Sequence, residues 1–518
     1  MNSMVAYMDW KTYFKGKKVT QLGLGLLGRG VGDAIFLAEC GADLIVTDLR
    51  DKKTLEPSLA KLRKFKNIQY VFGEHRLEDF RNRDFILKAA GVPLESLYIA
   101  EARKNNIPVE MDASLFARLL TPERSDGGQA KLMPKGVILV GVTGTRGKST
   151  TTALIYEILS STKRFTPNAK RSVYKGGNLV PEATLPLLKK VRAGDIVVLE
   201  LDSWQLQGFH DAKISPQVAV FTTFLDDHLV YYKGDTARYF EDKVAIFKYQ
   251  KTGDVLVVGE QAAARVGGAR PPVPPRIARA LDVPQNWKIK IPGKHNLENI
   301  ACALAAARAL HIPDSVSKKA IERFKGVPGR LEYLRTVRGV KIYNDNNATT
   351  PDATIAGLKA LSSLNSSFPK GGGESASRRI PNPSTRKNAV LPLGKGELRN
   401  IILIVGGTDK GLDMSKLVAE IPKHCKAVVM LKETGTDKLK RIMNYELARP
   451  NVPESARYGR GITIKEKEKL KECVEEAMKL AEKGDIILFS PAFASFGKWF
   501  KNEYDRGDQF VQIIRTCK

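Results

Sequence analysis

Short apolar runs alternate with amphipathic segments along most of this 518-residue chain. Apolar runs bounded by glycine or charged residues are typical of buried strands, whereas apolar positions at helical spacing are typical of helices. The predicted strands cover residues 18–23, 44–48, 136–140, 195–201, 340–343, 401–405 and 486–489. The predicted helices include a segment through Ala38 and residues 151–159, 300–310 and 465–483, with Gly484 as a cap beyond the last of them. This alternation indicates an α/β fold.

Composition divides the chain into three domains, a number that its length also accommodates. The predicted domains are residues 1–134, 135–327 and 328–518. Residues 121–129 are interpreted as the linker after the first domain, and residues 266–277, rich in proline, glycine and arginine, as a surface loop. Residues 366–395 form a polar insertion, predicted to be a mobile loop because it has too little apolar surface to offset its ordering entropy.

The net charge is strongly positive, with 84 Lys and Arg against 56 Asp and Glu, or +28 at pH 7. Such a charge is compatible with nucleic acid, an anionic membrane surface or small anionic substrates. Because no segment resembles a nucleic-acid module with interleaved aromatic residues, we expect no nucleic-acid partner. The five widely spaced cysteines are predicted to be reduced thiols. Neither a signal peptide nor a membrane-spanning run is recognisable, which predicts a cytoplasmic protein.

Residues 141–150 carry the strongest chemical signal, a glycine-rich turn with a lysine and two hydroxyls between a strand and a helix. Backbone N–H groups in such a turn bind phosphate, Lys148 would reach the β/γ oxygens and Ser149 would bind Mg²⁺. The generic spacing fails by one position at Val142, whereas the narrower form Thr-Gly-Thr-x-Gly-Lys-Ser fits. Tight packing before a helix is the alternative, and the presence of Lys148 and Ser149 disfavours it.

A second glycine motif, Gly23-x-Gly25-x-x-Gly28, follows the first predicted strand, and Asp48 ends the next one. This spacing is typical of dinucleotide sites, in which the carboxylate binds a ribose hydroxyl. The motif indicates a nucleotide-sized ligand beside a helix N-terminus, and nicotinamide is one candidate. A redox function would leave the phosphate loop unexplained.

Polar residues at other strand and helix ends complete the set of candidates. Glu200 ends an apolar strand and is favoured as a metal ligand over a solvent-facing edge residue. Asn296 and Asn299 share a helix face, where they could read a base or cap the helix. Residues 406–411 and 490–496 follow predicted strands, where open α/β sheets bind their ligands.

Taken in order, these motifs resemble the ATP-dependent Mur ligases over nearly the whole chain apart from the insertions. The residues that carry the resemblance are Thr143-Gly144-Thr145-x-Gly147-Lys148-Ser149, Glu200, Asp227-His228, Lys243, His295-Asn296-x-x-Asn299 and Arg330. The motifs at 23–28 and 490–496 narrow it to the branch that adds D-glutamate. The resemblance implies a Rossmann-like N-terminal domain for the UDP-substrate, a central P-loop ATPase-like domain, and a Rossmann-like C-terminal domain for the amino acid.

The activity implied by the resemblance is addition of D-glutamate to UDP-N-acetylmuramoyl-L-alanine, through an acyl phosphate made from ATP, in peptidoglycan precursor synthesis. Two Mg²⁺ ions would serve as cofactors, and the protein would act as a monomer. Lys243 would be carbamylated by CO₂, which turns a cation into a carboxylate that stabilises the metal site. Closure of the domains would protect the acyl phosphate from water.

The resemblance also assigns residues to five roles. The catalytic residues would be Lys148, Glu200, His228 and Lys243. The ATP site would consist of Gly144, Thr145, Arg146, Gly147, Lys148, Ser149, Thr150, Asn299, Arg330 and Asp345. The UDP-substrate would contact Gly25, Leu26, Leu27, Asp48, Arg50, Gly91, Asn178 and Asp202. The amino acid would contact Thr349, Lys410, Ser495 and Phe496. The metal ligands would be Ser149, Glu200, His228 and carbamylated Lys243.

The chain departs from the family pattern at several of its motifs. The departing residues include Leu27, Arg146, Asp202, Thr223, Gly329 and Asn347. A sister ligase with another amino acid or UDP-sugar acceptor is the nearest alternative function. Folylpolyglutamate synthases normally lack the first glycine motif, and a basic nucleic-acid-binding ATPase would leave three ligand sites unused.

Overall fold

A computed structural model describes residues 10–26, 28–120, 136–165, 171–227, 231–365, 400–447, 462–495 and 499–517. The chain divides into two compact units. The first comprises Met1–Lys290 and His295–Phe324, and the second comprises Ile291–Lys294 and Lys325–Lys518. The predicted linker at 121–129, the boundary at 134/135 and the insertion at 366–395 lie outside the described residues.

The N-terminal part of the first unit is a parallel sheet with helices around it. The strands are β1 (Lys18–Leu22), β2 (Asp43–Asp48), β3 (Ile68–Phe72), β4 (Phe85–Lys88) and β5 (Val109–Glu110). The helices are α1 (Trp10–Phe14), α2 (Arg29–Glu39), α3 (Lys52–Leu59), α4 (Leu97–Lys104) and α5 (Asp112–Leu120), with a 3₁₀ helix at Leu77–Phe80. The described strands are ordered β3-β2-β1-β4-β5, so the glycine motif after β1 lies at the middle of the sheet.

A second parallel sheet forms the rest of the first unit. Its strands are β6 (Ile138–Thr143), β7 (Val173–Gly177), β8 (Ile196–Glu200), β9 (Val218–Phe221), β10 (Val255–Gly259) and β11 (Pro275–Ala278). The helices are α6 (Lys148–Phe165), α7 (Ser203–Asp211), α8 (Thr236–Lys248), α9 (Ala263–Gly268), α10 (Lys294–Ala309) and α11 (Asp314–Arg323), with 3₁₀ helices at Leu185–Lys189, Glu260–Ala262 and Ala280–Asp282. The described order is β11-β10-β9-β6-β8-β7, and one apolar core extends from this sheet to the first.

The second unit holds a mixed sheet. Its strands are β12 (Glu332–Val337), β13 (Val340–Asn344), β14 (Ile401–Val405), β15 (Cys425–Leu431), β16 (Thr463–Lys467) and β17 (Ile486–Phe489). The helices are α12 (Pro351–Asn365), α13 (Ser415–His424), α14 (Thr434–Leu447), α15 (Leu470–Leu480) and α16 (Glu503–Thr516). The described order is β12-β13-β17-β14-β15-β16, in which β12 is antiparallel to β13 and the other pairs are parallel. Three α/β regions, each with its own sheet, confirm the predicted fold class.

Two predicted elements are wrong. Residues 266–277, interpreted as a surface loop, include the end of α9 and most of β11, because the segment pairs with β10 as an edge strand that begins at a proline. The single helix predicted over 465–483 is a strand followed by a shorter helix, because residues 463–467 pair with β15. Gly484 therefore does not cap that helix; it adopts φ 99° in the turn before β17.

The sequence predicts that the cysteines are reduced thiols and that no segment spans a membrane. No disulfide links the five cysteines, all of which lie in the described part of the chain: Cys40, Cys302, Cys425, Cys473 and Cys517. Across the parts of the chain that the structure describes, no helix has both the length and the apolar character needed to span a bilayer.

Candidate active site

The predicted phosphate loop joins β6 to α6 at the carboxyl edge of the second sheet. β6 lies between β8 and β9, with Val142 opposite Glu200 and Thr143 opposite Phe221. The loop leads directly into Lys148, the first residue of an 18-residue helix. N–H groups in the first turn of a helix have no acceptor within it, so a strand, a tight loop and a helix start together offer donors to a phosphate.

Glycines at 144 and 147 allow the loop to approach neighbouring segments closely. Gly144 has φ 141° and Gly147 has φ 84°, a region that residues with a side chain rarely adopt. A Cβ on Gly144 would overlap the Thr222 side chain, and one on Gly147 would overlap the amide oxygen of Asn299. The spacing of the motif therefore reflects contacts with segments that follow β9 and begin α10.

The amino groups of two lysines converge on the carbonyl of Gly144. Nζ of Lys148 donates to this oxygen at 3.1 Å and to the carbonyl of Thr145 at 3.1 Å. Nζ of Lys243, which α8 supplies, donates to the same Gly144 oxygen at 3.0 Å. The loop is thus flanked by two amino groups, an arrangement that suits the negative charge of a polyphosphate.

Lys243 is almost completely buried, with 1% of its surface exposed. Its Nζ lies 4.8 Å from the centroid of the Tyr239 ring. Burial, and secondly the nearby charge of Lys148, hold the pKa of Lys243 well below its usual range. The neutral amine favoured by this environment is the form that can react with CO₂.

Arg146 and Thr223, two departures from the family pattern, contact each other. The Arg146 N–H donates to the Thr223 hydroxyl at 2.8 Å, and that hydroxyl lies 3.1 Å from the Arg146 carbonyl oxygen. Nη1 of Arg146 forms an ion pair with Oδ2 of Asp227 at 2.7 Å. The two substitutions therefore fasten the loop to the segment before His228, which itself lies outside the described residues.

Glu200 ends β8 beside the loop and is 1% exposed, which rules out the solvent-facing alternative. Its Oε2 has no hydrogen-bond partner among the described residues. A buried carboxylate oxygen without a partner is costly unless a cation completes it, and oxygen ligands suit Mg²⁺. Ser149 is buried in the first turn of α6. Within the described ranges no cluster of three His, Cys, Asp or Glu side chains could hold a metal.

The two asparagines of α10 bond to each other. The helix begins at Lys294, so neither is its N-cap, and Nδ2 of Asn299 donates to Oδ1 of Asn296 at 3.1 Å. The Thr151 hydroxyl lies 3.5 Å from Oδ1 of Asn299. Asn299 therefore lies against the start of α6, where Thr150 is also buried.

The first glycine loop is bonded to a carboxylate of the protein itself. Oδ2 of Asp48 accepts from the N–H groups of Leu24 and Gly25 at 3.0 and 2.9 Å. Its Oδ1 accepts from the Arg50 N–H at 2.9 Å, and the Arg50 guanidinium lies 3.3 Å away. Gly28 starts α2 in the left-handed conformation. These contacts show that Asp48 shapes the loop, and its contact with a ligand stays a prediction.

The remaining predicted contacts of the UDP-substrate are Leu26, Leu27, Gly91 and Asp202. Leu26 is 46% exposed, as expected for a residue that meets a ligand, whereas Leu27 lies outside the described residues. Gly91 is exposed in the turn after β4. Asp202 is the N-cap of α7, where its side chain accepts from the Gln205 N–H at 2.8 Å.

Asn178 follows β7 and bonds to residues of both α/β regions of the first unit. Its N–H donates to the Glu200 carbonyl at 2.7 Å. Its Oδ1 accepts from Nη1 of Arg29 at 2.9 Å, and the same guanidinium donates to the Val180 carbonyl at 3.0 Å. Arg29, at the start of α2, thus orients a predicted substrate residue, a role that sequence reasoning missed because the contact spans 149 positions.

In the second unit, the buried carboxylate of Asp345, just after β13, forms hydrogen bonds with two other segments. Its Oδ1 accepts from the Leu331 N–H at 2.9 Å, and its Oδ2 accepts from the Ser490 hydroxyl at 2.9 Å. Burial raises the pKa of Asp345 to about 7, while those two hydrogen bonds and Arg330 act in the opposite direction. Arg330 itself is exposed beside this carboxylate.

The predicted amino-acid residues lie on three strand-end loops of this unit. Nζ of Lys410 donates to the Thr349 hydroxyl at 3.0 Å. Ser495 is buried, and Phe496 lies outside the described residues. The loops after β14 and β17 are joined by backbone hydrogen bonds between Thr408 and Ala494 at 3.0 and 3.1 Å. Lys410 and Thr349 thus meet in the second unit, as the motif order suggested.

A buried arginine holds these loops together. Arg506 in α16 is 0% exposed; its Nε donates to Oδ1 of Asn346 at 2.7 Å and its Nη2 to the Asn346 carbonyl at 2.9 Å. Its Nη1 donates to the Phe493 carbonyl at 3.2 Å. Sequence reasoning missed Arg506, because no local motif distinguishes it from the other arginines of a basic chain.

Comparison with known proteins identifies the family to which this chain belongs. Residues 142–267 match the Mur ligase middle domain. UDP-N-acetylmuramoylalanine–D-glutamate ligase of Roseiflexus sp. (strain RS-1) is 33% identical, over 97% of this chain and 99% of the relative. The chain belongs to the Mur ligase family. The relative of the same name from Acetivibrio thermocellus is 30% identical over 98% of both chains.

A solved Mur ligase structure has the same fold. The UDP-N-acetylmuramate-alanine ligase MurC from Thermotoga maritima superposes with a TM-score of 0.56 at 19% identity, covering 97% of this chain and all of that one. Within this Mur ligase, the first unit brings together the phosphate loop, Glu200, Lys243 and Asn299. It also carries the glycine loop that Asp48 holds, and Arg29 at the start of the following helix bonds to Asn178.

Proposed function

We propose that this Mur ligase adds D-glutamate to UDP-N-acetylmuramoyl-L-alanine and converts ATP to ADP and phosphate. The convergence of Lys148 and Lys243 on one carbonyl of the phosphate loop, beside the buried Glu200, is the observation that carries the proposal. It supports phosphoryl transfer because the Lys148 ammonium, and a cation held by Glu200 and by a carbamate on Lys243, would stabilise the charge of the transferred group. The names of the relatives support the choice of substrates.

The reaction would proceed in two steps. An oxygen of the substrate carboxylate attacks the γ-phosphorus of ATP, the bond to the β/γ-bridging oxygen breaks, and ADP leaves with the electron pair. The amine of D-glutamate then attacks the acyl carbon of the acyl phosphate, loses a proton and expels inorganic phosphate as the amide forms. Lys148 would stabilise the phosphoryl oxygens in the first step.

Mg²⁺ fits the oxygen donors around the loop. Ser149 and Glu200 would hold it, together with His228 and a carbamate on Lys243, and the bound cation would neutralise phosphate charge. The buried, neutral amine of Lys243 supports carbamylation, because addition of the amine nitrogen to CO₂ releases one proton and leaves a carboxylate. We propose two ions, as the family resemblance implies.

The UDP portion would lie at the first glycine loop, near Asp48, Arg50, Gly91 and Asn178. Thr349, Lys410 and Ser495 would receive D-glutamate, whose two carboxylates suit a lysine ammonium and a hydroxyl. We propose that the protein acts as a cytoplasmic monomer without a nucleic-acid partner, and that its positive charge serves these anionic substrates.

Phosphate release in the presence of ATP and Mg²⁺ tests the proposal. Release is expected only when UDP-N-acetylmuramoyl-L-alanine and D-glutamate are both present. L-Serine, lysine and meso-diaminopimelate should give no release in place of D-glutamate. Activity with one of these would assign the chain to a sister ligase, and release stimulated by nucleic acid and suppressed by salt would favour a nucleic-acid-dependent ATPase.

A further inference from the structure

Lys88 is a buried lysine at the end of β4 to which no role has been assigned so far. It is 2% exposed, and its strand pairs with β1 so that Lys88 is opposite Leu22, next to the glycine motif. Nζ donates to the carbonyl of Val92 at 2.7 Å, with the carbonyls of Ala89 and Ala90 at 3.3 and 3.5 Å. The Lys88 ammonium therefore lies within hydrogen-bond distance of three carbonyl oxygens in the turn that follows its own strand.

The turn of residues 89–92 lies directly against the first glycine loop. A Cβ on Gly23 would come within 2.9 Å of the Ala89 Cβ, and the Ala89 N–H donates to the Leu22 carbonyl at 2.9 Å. Among the described residues, the N–H groups of Ala90 and Gly91 have no acceptor. Two successive free N–H groups in a turn form a concave donor site for an oxygen acceptor.

We propose that Lys88 is a positioning residue for the UDP-substrate: by holding the carbonyls of Ala89, Ala90 and Val92, it directs the Ala90 and Gly91 N–H groups, and its own positive charge, toward substrate oxygens. This inference rests on the proposed function. Gly91 supplies no side chain, so its predicted contact with the substrate requires that something else fix the backbone. The hydrogen bonds from Lys88 to the carbonyls of the turn supply that constraint.

The charge of Lys88 is expected to titrate near physiological pH. Burial lowers the pKa of Lys88 to about 8, while Asp202, Asp211 and Asp242 on α7 and α8 act to raise it and Arg103 on α4 acts to lower it. The ammonium is therefore present below about pH 8 and is lost as the pH rises through that value. Substrate affinity should accordingly decrease across the same interval.

The test measures binding of UDP-N-acetylmuramoyl-L-alanine by calorimetry, without ATP or D-glutamate, from about pH 6.5 to 9.5. The wild-type protein is expected to bind about tenfold more weakly above pH 8 than below it. Lys88→Met should bind at every pH about as weakly as the wild type does above pH 8, because it lacks the charge. Lys88→Arg should restore binding and remove the pH dependence, since a guanidinium stays protonated. Lys104→Met, an exposed lysine at the end of α4, is the matched control.

Thermal unfolding of each variant separates misfolding from a loss of affinity. Wild-type affinity that is constant through pH 8, or a folded Lys88→Met protein with wild-type affinity, would overturn the role of Lys88 alone. A wild-type protein that does not bind this substrate at any pH would overturn the proposed function and the inference together.

Discussion

The two glycine loops of the first unit both follow a strand, but they bond to different groups of the protein: a carboxylate at the first and lysine amino groups at the second. At residues 23–28, the loop N–H groups of Leu24 and Gly25 donate to the Asp48 carboxylate. At residues 144–147, the loop carbonyl of Gly144 accepts from Lys148 and Lys243. One loop is fastened to an anion of the protein, and the other is surrounded by amino groups.

This difference shows that a glycine motif by itself does not determine which part of a nucleotide it binds. N–H groups that already donate to a carboxylate are not available to a phosphate, so Leu24 and Gly25 do not offer the donors of a phosphate loop. The second loop retains the donors of a helix N-terminus and adds lysines, which suits a polyphosphate. The side chains that bond to each loop determine which ligand group the loop suits. Asp48 and Lys243 are both distant in sequence from the loop that they contact.

The strongest test of the comparison removes a cation from the second loop. Lys148→Ala should decrease turnover about a thousandfold, equivalent to about 4 kcal/mol in the activation barrier, because the phosphoryl charge loses its partner. UDP-substrate binding should persist. ATP-dependent phosphate release measures the first effect and calorimetry the second, with the exposed Lys190→Ala as control. Unchanged turnover would refute the assignment of the second loop to phosphate.

Alanine at one glycine of each loop tests how closely each is packed. Gly147→Ala should destabilise the protein by about 3 kcal/mol or more and abolish ATP binding, because its Cβ would overlap Asn299 at an unfavourable φ. Gly25→Ala should cost about 1 kcal/mol, because φ is also positive but no atom lies within 4 Å of the new Cβ. Thermal and urea unfolding provide the comparison, and equal losses would contradict it.

Removing the charge of Glu200 tests whether the second loop includes a metal. Glu200→Gln should decrease turnover about a hundredfold while leaving the unfolding midpoint unchanged or higher, because an amide is less costly to bury than a carboxylate without a partner. Mg²⁺ should raise the midpoint of the wild-type protein more than that of the variant. Glu182→Gln, an exposed residue, is the control. A variant that responds to Mg²⁺ as the wild type does would exclude Glu200 as a ligand.

The smallest expected effect concerns the first loop. Asp48→Ala should raise KM for the UDP-substrate about tenfold and leave KM for ATP unchanged, because the Leu24 and Gly25 N–H groups lose their acceptor and the loop loses its shape. Asp43→Ala, an exposed residue at the start of the same strand, is the matched control. An equal rise in KM for ATP would mean that the two loops are not separate sites.

Local patterns were sufficient for the seven strands predicted above, the glycine-rich turn between β6 and α6, and the position of Glu200 at the end of β8. Each of these depends on residues that are neighbours in the sequence: an apolar run, a turn and a polar residue at the end of a strand. The errors at 266–277 and 465–483 arose where an edge strand has little apolar signal. Pairing with β10 and β15 decided those segments, and a local pattern does not contain that pairing.

Long-range contacts account for what the sequence did not predict at the site. The bond between Arg29 and Asn178 spans 149 positions, and the bond between Arg506 and Asn346 spans 160. Lys88 escaped notice because a lysine that ends an apolar strand is ordinarily interpreted as a solvated residue. The roles of these side chains depend on their burial and on the partners to which they bond. Both are determined by the tertiary fold and not by a local pattern.

The buried Arg506 has a consequence for the order in which the protein acquires its sites during synthesis. The first unit is complete in sequence by Phe324, whereas Arg506 lies on α16, after every other element described. A chain still on the ribosome would therefore carry its nucleotide loops before it has the guanidinium that joins Asn346 to Phe493. Any function that depends on these joined loops therefore requires that α16 has already been synthesised.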